Sequence, residues 1–479
     1  MQKATKLQQI KSLIALSFSH FVKHVAKSLK LIHSFAKTRK RNREREMKEA
    51  KVVGLVLLQV LVLVMGLCES SISSPPYVDQ MHNRRKSMLS EPTSSLALHR
   101  VGSSIVLPVH GNVYPIGYYN VTLNIGQPPK PYYLDPDTGS DLTWLQCDAP
   151  CVSCTEAPHP YYRLNNNLVP CRDPLCKALY PPGEHRCEIP EQCDYEVQYA
   201  DGGSSIGVLV KDVFSISLSN GMQRNPLLPL GCGYDQIPNP ASHPFDGVLG
   251  LGKGESSIVS QLSRQGLLRN VIGHCLSGRG GGYLFLGDGP YDSSRLLWTS
   301  MSPHHPEHYS PGSAELIFGG KTTGIKNLVL AFDTGSSYTY LNSQAYEALT
   351  TLVKRELSGR SLTEALDDRT LSICWRGRKP FKSLKDVKKY FKPLALSFIN
   401  GGRAKIQYDL PPEAYLIISS KGNVCLGILN GTEAGQGSLN IIGDISMQDK
   451  MVIFDNEKQL IGWMPANCDR VPKSKTDSI

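Results

Sequence analysis

The sequence predicts a mainly β protein built as two homologous lobes. Three observations carry this. The tetrapeptide DTGS occurs twice, at Asp137–Ser140 and Asp333–Ser336. A second motif, two apolar residues and a glycine, follows each copy as Val248–Gly250 and Ile441–Gly443. Gly250 lies 113 positions after Asp137 and Gly443 lies 110 after Asp333, so both order and spacing repeat. Elsewhere short alternating apolar runs broken by Gly and Pro dominate, and helical periodicity is sparse.

The chain has 479 residues, enough for a large core. Its net charge of +10 is concentrated at one end. Residues 1–69 hold 14 Lys and Arg against 4 acids, while the remainder holds 38 of each sign. The body therefore lacks the electrostatic footprint of a nucleic-acid binder. Residues 1–46 form a basic extension, and Met47 before Lys48 offers a second start. Val52 to Leu67 is a 16-residue uncharged run preceded by Lys48 and Lys51, so 47–69 reads as a signal peptide. A retained signal-anchor is the alternative, though the run is shorter than the roughly 20 residues of a spanning helix. A transit peptide is a further reading of the leader. Residues 70–112, rich in Ser, Pro and charge, read as a linker or propeptide.

From Tyr118 the pattern becomes that of strands. Tyr119–Ile125 alternates and ends at Gly126-Gln-Pro-Pro, and Tyr132–Leu134 leads into the first DTGS. Ile206–Val210 and Val213–Leu218 are further strands. Ser257–Gly266 and Ser343–Leu357 are the best helical candidates. The lobes are expected at 113–303 and 304–479.

A single DTGS reads most simply as a surface β-turn. Two copies with matched downstream partners point to chemistry. Two carboxylates brought face to face in a shielded site cannot both ionise cheaply, so they share one proton. The ionised member can act as base on a water held between them, and the protonated member can donate to a substrate carbonyl. This hydrolyses a peptide bond in acid with no covalent intermediate, cofactor or metal.

Carrying DTGS twice, with the apolar-apolar-Gly segments behind, the chain resembles the pepsin-type aspartic proteases, and most closely their plant nucellin-like branch. The resemblance covers Tyr118 to Cys468 and implies a bilobal pepsin-like fold, two homologous β lobes with the active-site cleft between them. It implies that Asp137 and Asp333 are the catalytic pair, that Ser140 and Ser336 brace them, and that Gly139 and Gly335 complete the turns. Tyr199-Ala-Asp-Gly-Gly203 matches the family's flap, which would make Tyr199, Asp201 and Gly202 substrate-covering residues. Trp144, seven residues after Asp137, is expected against Tyr199. Two positions depart from the family. Pro136 precedes Asp137 and lacks an N–H, so the strand is expected to end one residue early. Asp201 stands where pepsin has an uncharged hydroxyl residue.

Thirteen cysteines are present, with Cys68 at the end of the signal region. The other twelve are Cys147, Cys151, Cys154, Cys171, Cys176, Cys187, Cys193, Cys232, Cys275, Cys374, Cys425 and Cys468. An oxidising compartment would make them six disulfides, with pairing left open. Seven of them fall in 147–193, a Cys-rich insertion typical of the nucellin-like branch. A zinc site at Cys151-x-x-Cys154, with Cys171 and Cys176 nearby, is the competing reading. Asn120 and Asn430 head glycosylation sequons. The resemblance implies a secreted or vacuolar monomer acting on polypeptides, favouring hydrophobic residues at the scissile bond, with no nucleic-acid partner and no stable membrane association. A binding protein that has lost activity is the runner-up.

Overall fold

The computed structural model describes residues 104–471, except 150, 152, 181, 182, 184, 186, 188–190, 201, 238–243, 290 and 401–403. The expected extension, the signal segment and positions 70–103 of the linker lie outside the described residues, as does Asp201.

The two copies of the motif fold the same way, and the strand pairing shows it. In the first lobe, Lys130–Asp137 runs parallel to Gly247–Gly250, with Asp137 opposite Gly250. Trp144–Gln146 then crosses back, antiparallel to Gly247–Gly250 and parallel to Leu227–Ile237. In the second lobe, Leu328–Phe332 runs parallel to Asn440–Ile442. Thr339–Leu341 crosses back antiparallel to that strand and parallel to Ile428–Asn430. Parallel neighbours need long connections, which is why the two motifs of each lobe lie more than a hundred residues apart. The glycine ending each apolar-apolar-Gly segment has a steric cause. A Cβ on Gly250 would lie 2.2 Å from Asp141 O, and one on Gly443 would lie 2.0 Å from Tyr338 O. Only glycine lets the chain leaving each DTGS turn pass so close.

The lobes are joined by backbone pairing. Val271–Leu276 of the first lobe pairs antiparallel with Lys450–Asp455, and Leu460–Pro465 and Leu297–Ser300 extend the same sheet. Cys275–Cys468 staples this junction. The last strands thus complete the first lobe's sheet, and a cut at 303/304 divides the sequence more cleanly than the structure.

Three local expectations change. Ser104–Asn112, expected in the linker, is a strand between Gly282–Gly287 and Tyr118–Ile125, burying Ile105 and Val109. Its order comes from two long-range partners, while its own sequence, interrupted by Pro108, alternates poorly. Ile206–Val210 and Val213–Leu218 merge into one strand, Ser204–Ser217. The polar pair between them is satisfied from the insertion: Lys211 Nζ bonds Asp173 at 2.9 Å and Asp212 accepts from Tyr162 OH at 2.6 Å. Pro136 does not end its strand; Lys130–Asp137 continues through it.

Both helix candidates form. Ser343–Leu357 is capped by Asn342, which accepts from Ala345 N at 3.0 Å, and buries Ala345, Leu349, Val353 and Leu357 at helical spacing. Ile258–Arg264 is capped by Ser257. The twelve cysteines form six disulfides: Cys147–Cys232, Cys151–Cys154, Cys171–Cys187, Cys176–Cys193, Cys275–Cys468 and Cys374–Cys425. Those of the insertion fix a satellite core in which Val169, Leu175, Cys176, Cys193, Tyr195 and Leu209 pack with Leu142 and Trp144, against Tyr199 and Val248. The insertion thereby shores up the wall and flap of the cleft.

Candidate active site

The DTGS turns meet at the floor of a cleft of about 710 Å³. Each carboxylate is held by its own turn. Asp137 accepts from Gly139 N at 2.7 Å and from Ser140 Oγ. Asp333 accepts from Gly335 N at 3.0 Å and Ser336 Oγ at 2.9 Å. The threonines lock the turns to each other. Thr138 N donates to Thr334 Oγ1 at 3.1 Å, and Thr334 N donates to Thr138 Oγ1 at 3.0 Å. Their hydroxyls donate onward, Thr138 Oγ1 to Phe332 O at 3.3 Å and Thr334 Oγ1 to Pro136 O. Pro136 lacks an N–H, but the lock uses its carbonyl.

The turns are so close that each glycine faces the other lobe's acid. A Cβ on Gly139 would lie 2.7 Å from Asp333 Oδ1, and one on Gly335 would lie 2.6 Å from Asp137 Oδ1. Burial, and next the charge of Asp333, push the Asp137 carboxyl up to about 7, against the pull of the Ser140 and Gly139 hydrogen bonds. Asp137 is only 6% exposed. Such a pair can share a proton and orient a water.

The hairpin between Asp194–Gln198 and Ser204–Ser217 overhangs Asp137. It closes through Tyr199 N to Gly203 O at 2.8 Å and Gly202 N to Tyr199 O at 3.0 Å, with Gly202 at φ +88°. Trp144 Nε1 donates to Tyr199 OH at 2.7 Å. Burial, and next the charge of Asp137, keep the Tyr199 phenol well above its ordinary range, so it stays neutral. Across the cleft, a Cβ on Gly435 would lie 2.9 Å from Ala200 O, so the second lobe's loop closely approaches the hairpin tip.

Two further acids stand beside the pair, and sequence reasoning misses both. Asp135 lines the same cleft. Strand alternation gives the signal, since residues i and i+2 share a face and Asp137 faces the cleft. Asp444 follows Ile441–Gly443 directly and is 1% exposed, and its Oδ1 has no hydrogen-bond partner among the described residues. Burial raises both carboxyls well above the ordinary range, and the neighbouring acids add to it.

The sequons lie on strands. Asn120 pairs with His110, and Asn430 Oδ1 accepts from Ser343 Oγ at 2.9 Å. Of the cysteines of the zinc reading, Cys151 and Cys154 are joined to each other, Cys171 to Cys187 and Cys176 to Cys193.

Comparisons with known proteins agree with this geometry. The family model described as "Xylanase inhibitor N-terminal" matches residues 119–288, and that described as "Xylanase inhibitor C-terminal" matches 318–465. An aspartic proteinase of Oryza sativa subsp. japonica is 45% identical over 406 residues, covering 82% of this chain and 98% of that protein. Aspartic proteinase 39 of Arabidopsis thaliana is 27% identical, covering 79% of this chain and 81% of its own length. Among solved structures, edgp superposes with a TM-score of 0.59 at 17% identity, covering 76% of this chain and 95% of its own. Basic 7S globulin from soybean gives 0.58 at 17%, covering 76% and 98%. At that identity these two show the fold alone.

Proposed function

The chain belongs to the plant pepsin-type aspartic proteases and is an aspartic-type endopeptidase, and we propose that it hydrolyses peptide bonds with Asp137 and Asp333 as its catalytic pair. The reciprocal threonine lock carries this reading, because it holds two carboxylates face to face whichever substrate is bound. Below about pH 7 Asp137 keeps its proton. It then donates toward the scissile carbonyl, while the Asp333 carboxylate, the charge that raises it, takes a proton from a water between them. No covalent intermediate forms. As pH rises through about 7 Asp137 loses its proton and activity falls.

Tyr199, oriented by Trp144, covers the bound peptide and excludes water. Ile116, Tyr118, Phe245, Val248 and Ile441 give the cleft an apolar lining, which supports a preference for hydrophobic residues beside the scissile bond. The six disulfides support folding in an oxidising compartment, with the apoplast or vacuole as destination. The Cys-rich insertion supports the nucellin-like branch. Among the described residues no helix is long and apolar enough to cross a membrane.

The test is cleavage of an unfolded protein from about pH 3 to pH 8 by the secreted protein and by Asp137→Asn and Asp333→Asn. Each substitution is expected to lower kcat/KM by roughly 10³-fold or more. Full activity in either variant would refute the pair. A second reading follows from the family descriptions, which name xylanase inhibitors. A folded, disulfide-bonded product inactive at every pH would favour that binding role.

A further inference from the structure

The second lobe carries a charge concentration that the cleft does not use. Between Arg376 and Lys392, 17 residues hold eight Lys and Arg and one acid. All eight are exposed. Three are paired: Arg376 with Asp367, Lys388 with Glu413 at 3.6 Å, and Lys392 with Glu356 at 2.6 Å. Arg378, Lys379, Lys382, Lys385 and Lys389 have no ion-pair partner among the described residues. The single acid is engaged by the backbone, since Asp386 accepts from Lys382 N at 3.0 Å and Ser383 N at 3.1 Å to cap the helix Leu384–Val387.

A second observation lies beside this run. Leu366 is 84% exposed, more than the other exposed large hydrophobic residues, whose values reach 58%. It sits in a turn closed by Asp368 N to Ala365 O at 2.9 Å. The turn is rigid, because Asp368 accepts from Ser419 Oγ at 2.6 Å, Asn423 Nδ2 at 2.8 Å and Thr370 Oγ1 at 2.7 Å. Those bonds tie it to the 419–423 hairpin, whose Lys421 Nζ donates to Asp367 O at 2.6 Å. Phe381 N donates to Gly422 O at 2.8 Å, bringing the basic run against the same hairpin. Cys374–Cys425 staples the small sheet beneath. The fold thus fixes one apolar side chain in water, next to Asp367 with its Arg376 and Lys421 partners, and ties its turn through the 419–423 hairpin to the basic run.

We infer that this platform docks the protein reversibly on an anionic lipid surface, with Leu366 entering the headgroup layer and the unpaired Lys and Arg residues meeting lipid phosphates and carboxylates. A soluble polyanion would use the cations but has no use for a rigidly presented leucine. A bilayer uses both, one by apolar burial and the other by attraction to its negative surface potential. The platform adjoins the cleft: Ser420 N donates to Tyr114 OH at 2.8 Å, and Tyr114 lines the cleft wall. Docking would bring the peptidase to polypeptides held at a membrane. The inference stands apart from the dyad, which it does not use.

The experiment is co-sedimentation of the purified protein with phosphatidylcholine vesicles and with vesicles containing about 30% phosphatidylserine. Variants Leu366→Asp and the triple Lys379→Glu, Lys382→Glu, Lys385→Glu run alongside. Hydrolysis of a soluble peptide reports on folding. We expect binding to anionic vesicles only, weakened by about 10-fold or more in each variant and by roughly 0.5 M salt, with peptide hydrolysis unchanged. Absence of binding to anionic vesicles would overturn the proposal. So would binding that Leu366→Asp leaves intact and soluble polygalacturonate competes away, since that describes a polyanion site without a membrane.

Discussion

The first DTGS turn lies under a roof and the second does not, though the two share sequence, pairing and hydrogen bonds. Asp137 is almost fully buried beneath the Trp144–Tyr199 pair, whereas Asp333 is half-buried. Seven residues after each aspartate stand Trp144 and Tyr340, and the indole donates to the flap's Tyr199. Two residues before them stand Asp135 and Ala331, and one before, Pro136 and Phe332. The last contrast is instructive. Both residues accept a threonine hydroxyl through their carbonyls, so that position needs a C=O and tolerates loss of the N–H. The two copies share the parts that hold the carboxylates and differ in what surrounds them.

That comparison can be broken most severely at the two glycines. Gly139→Ala and Gly335→Ala each place a methyl within 2.7 Å of the opposing carboxylate. Each should lower kcat by about 10²-fold, the cost of a displacement near ~1 Å, with near-native thermal unfolding. Equal losses would show that the duplicated floor works symmetrically. A large loss in one alone would show that the roof dictates which carboxylate must stay in place.

A smaller effect concerns charge. A carboxyl whose folded pKa is raised keeps its proton after the unfolded chain has released it. The folded state then binds more protons, and stability falls as pH rises from the ordinary carboxylate value through the folded one. Asp135, Asp137 and Asp444 all have this sign. These carboxyls alone would lower Tm near pH 7 relative to pH 4, while His274, pulled down to about 3 by burial, acts in the opposite direction, so calorimetry is read as the difference between the native protein and a carboxyl variant. Asp444→Asn, which removes a buried carboxyl with an unpartnered oxygen, should recover roughly 2–4 °C at the higher pH and change little at the lower. A larger gain in acid than at neutrality would contradict the assignment.

The mildest change tests the roof. Trp144→Phe keeps an aromatic ring but removes the hydrogen bond to Tyr199. Losing about 1 kcal/mol of orientation should raise KM by roughly 5-fold and leave kcat nearly unchanged. An unchanged KM in Trp144→Phe would show that the indole does not orient the flap.

Much of the site is legible in the sequence because its grammar is local. A DTGS turn carries its own carboxylate, amide and hydroxyl partners within four residues, and two copies at matched spacing identify two lobes. The helices at 258–264 and 343–357 are legible for the same reason, since cap and periodicity are both short-range. Asp444 is not: a single acid after an apolar strand carries no sign that its surroundings will be dry and crowded with other acids. Ser104–Asn112 escapes because its order comes from strands that follow it by up to about 180 residues.

The available chemistry is written along the chain: two acids on glycine turns, a flap hairpin, and twelve cysteines to be joined. Only the folded chain settles which cysteines meet, that Pro136 stays within its strand, and that Leu366 stands in water. The physical reason is the range of the forces involved. Turn geometry and periodicity act over a few residues, whereas burial, disulfide partnership and the field around a carboxyl depend on segments that only folding brings together.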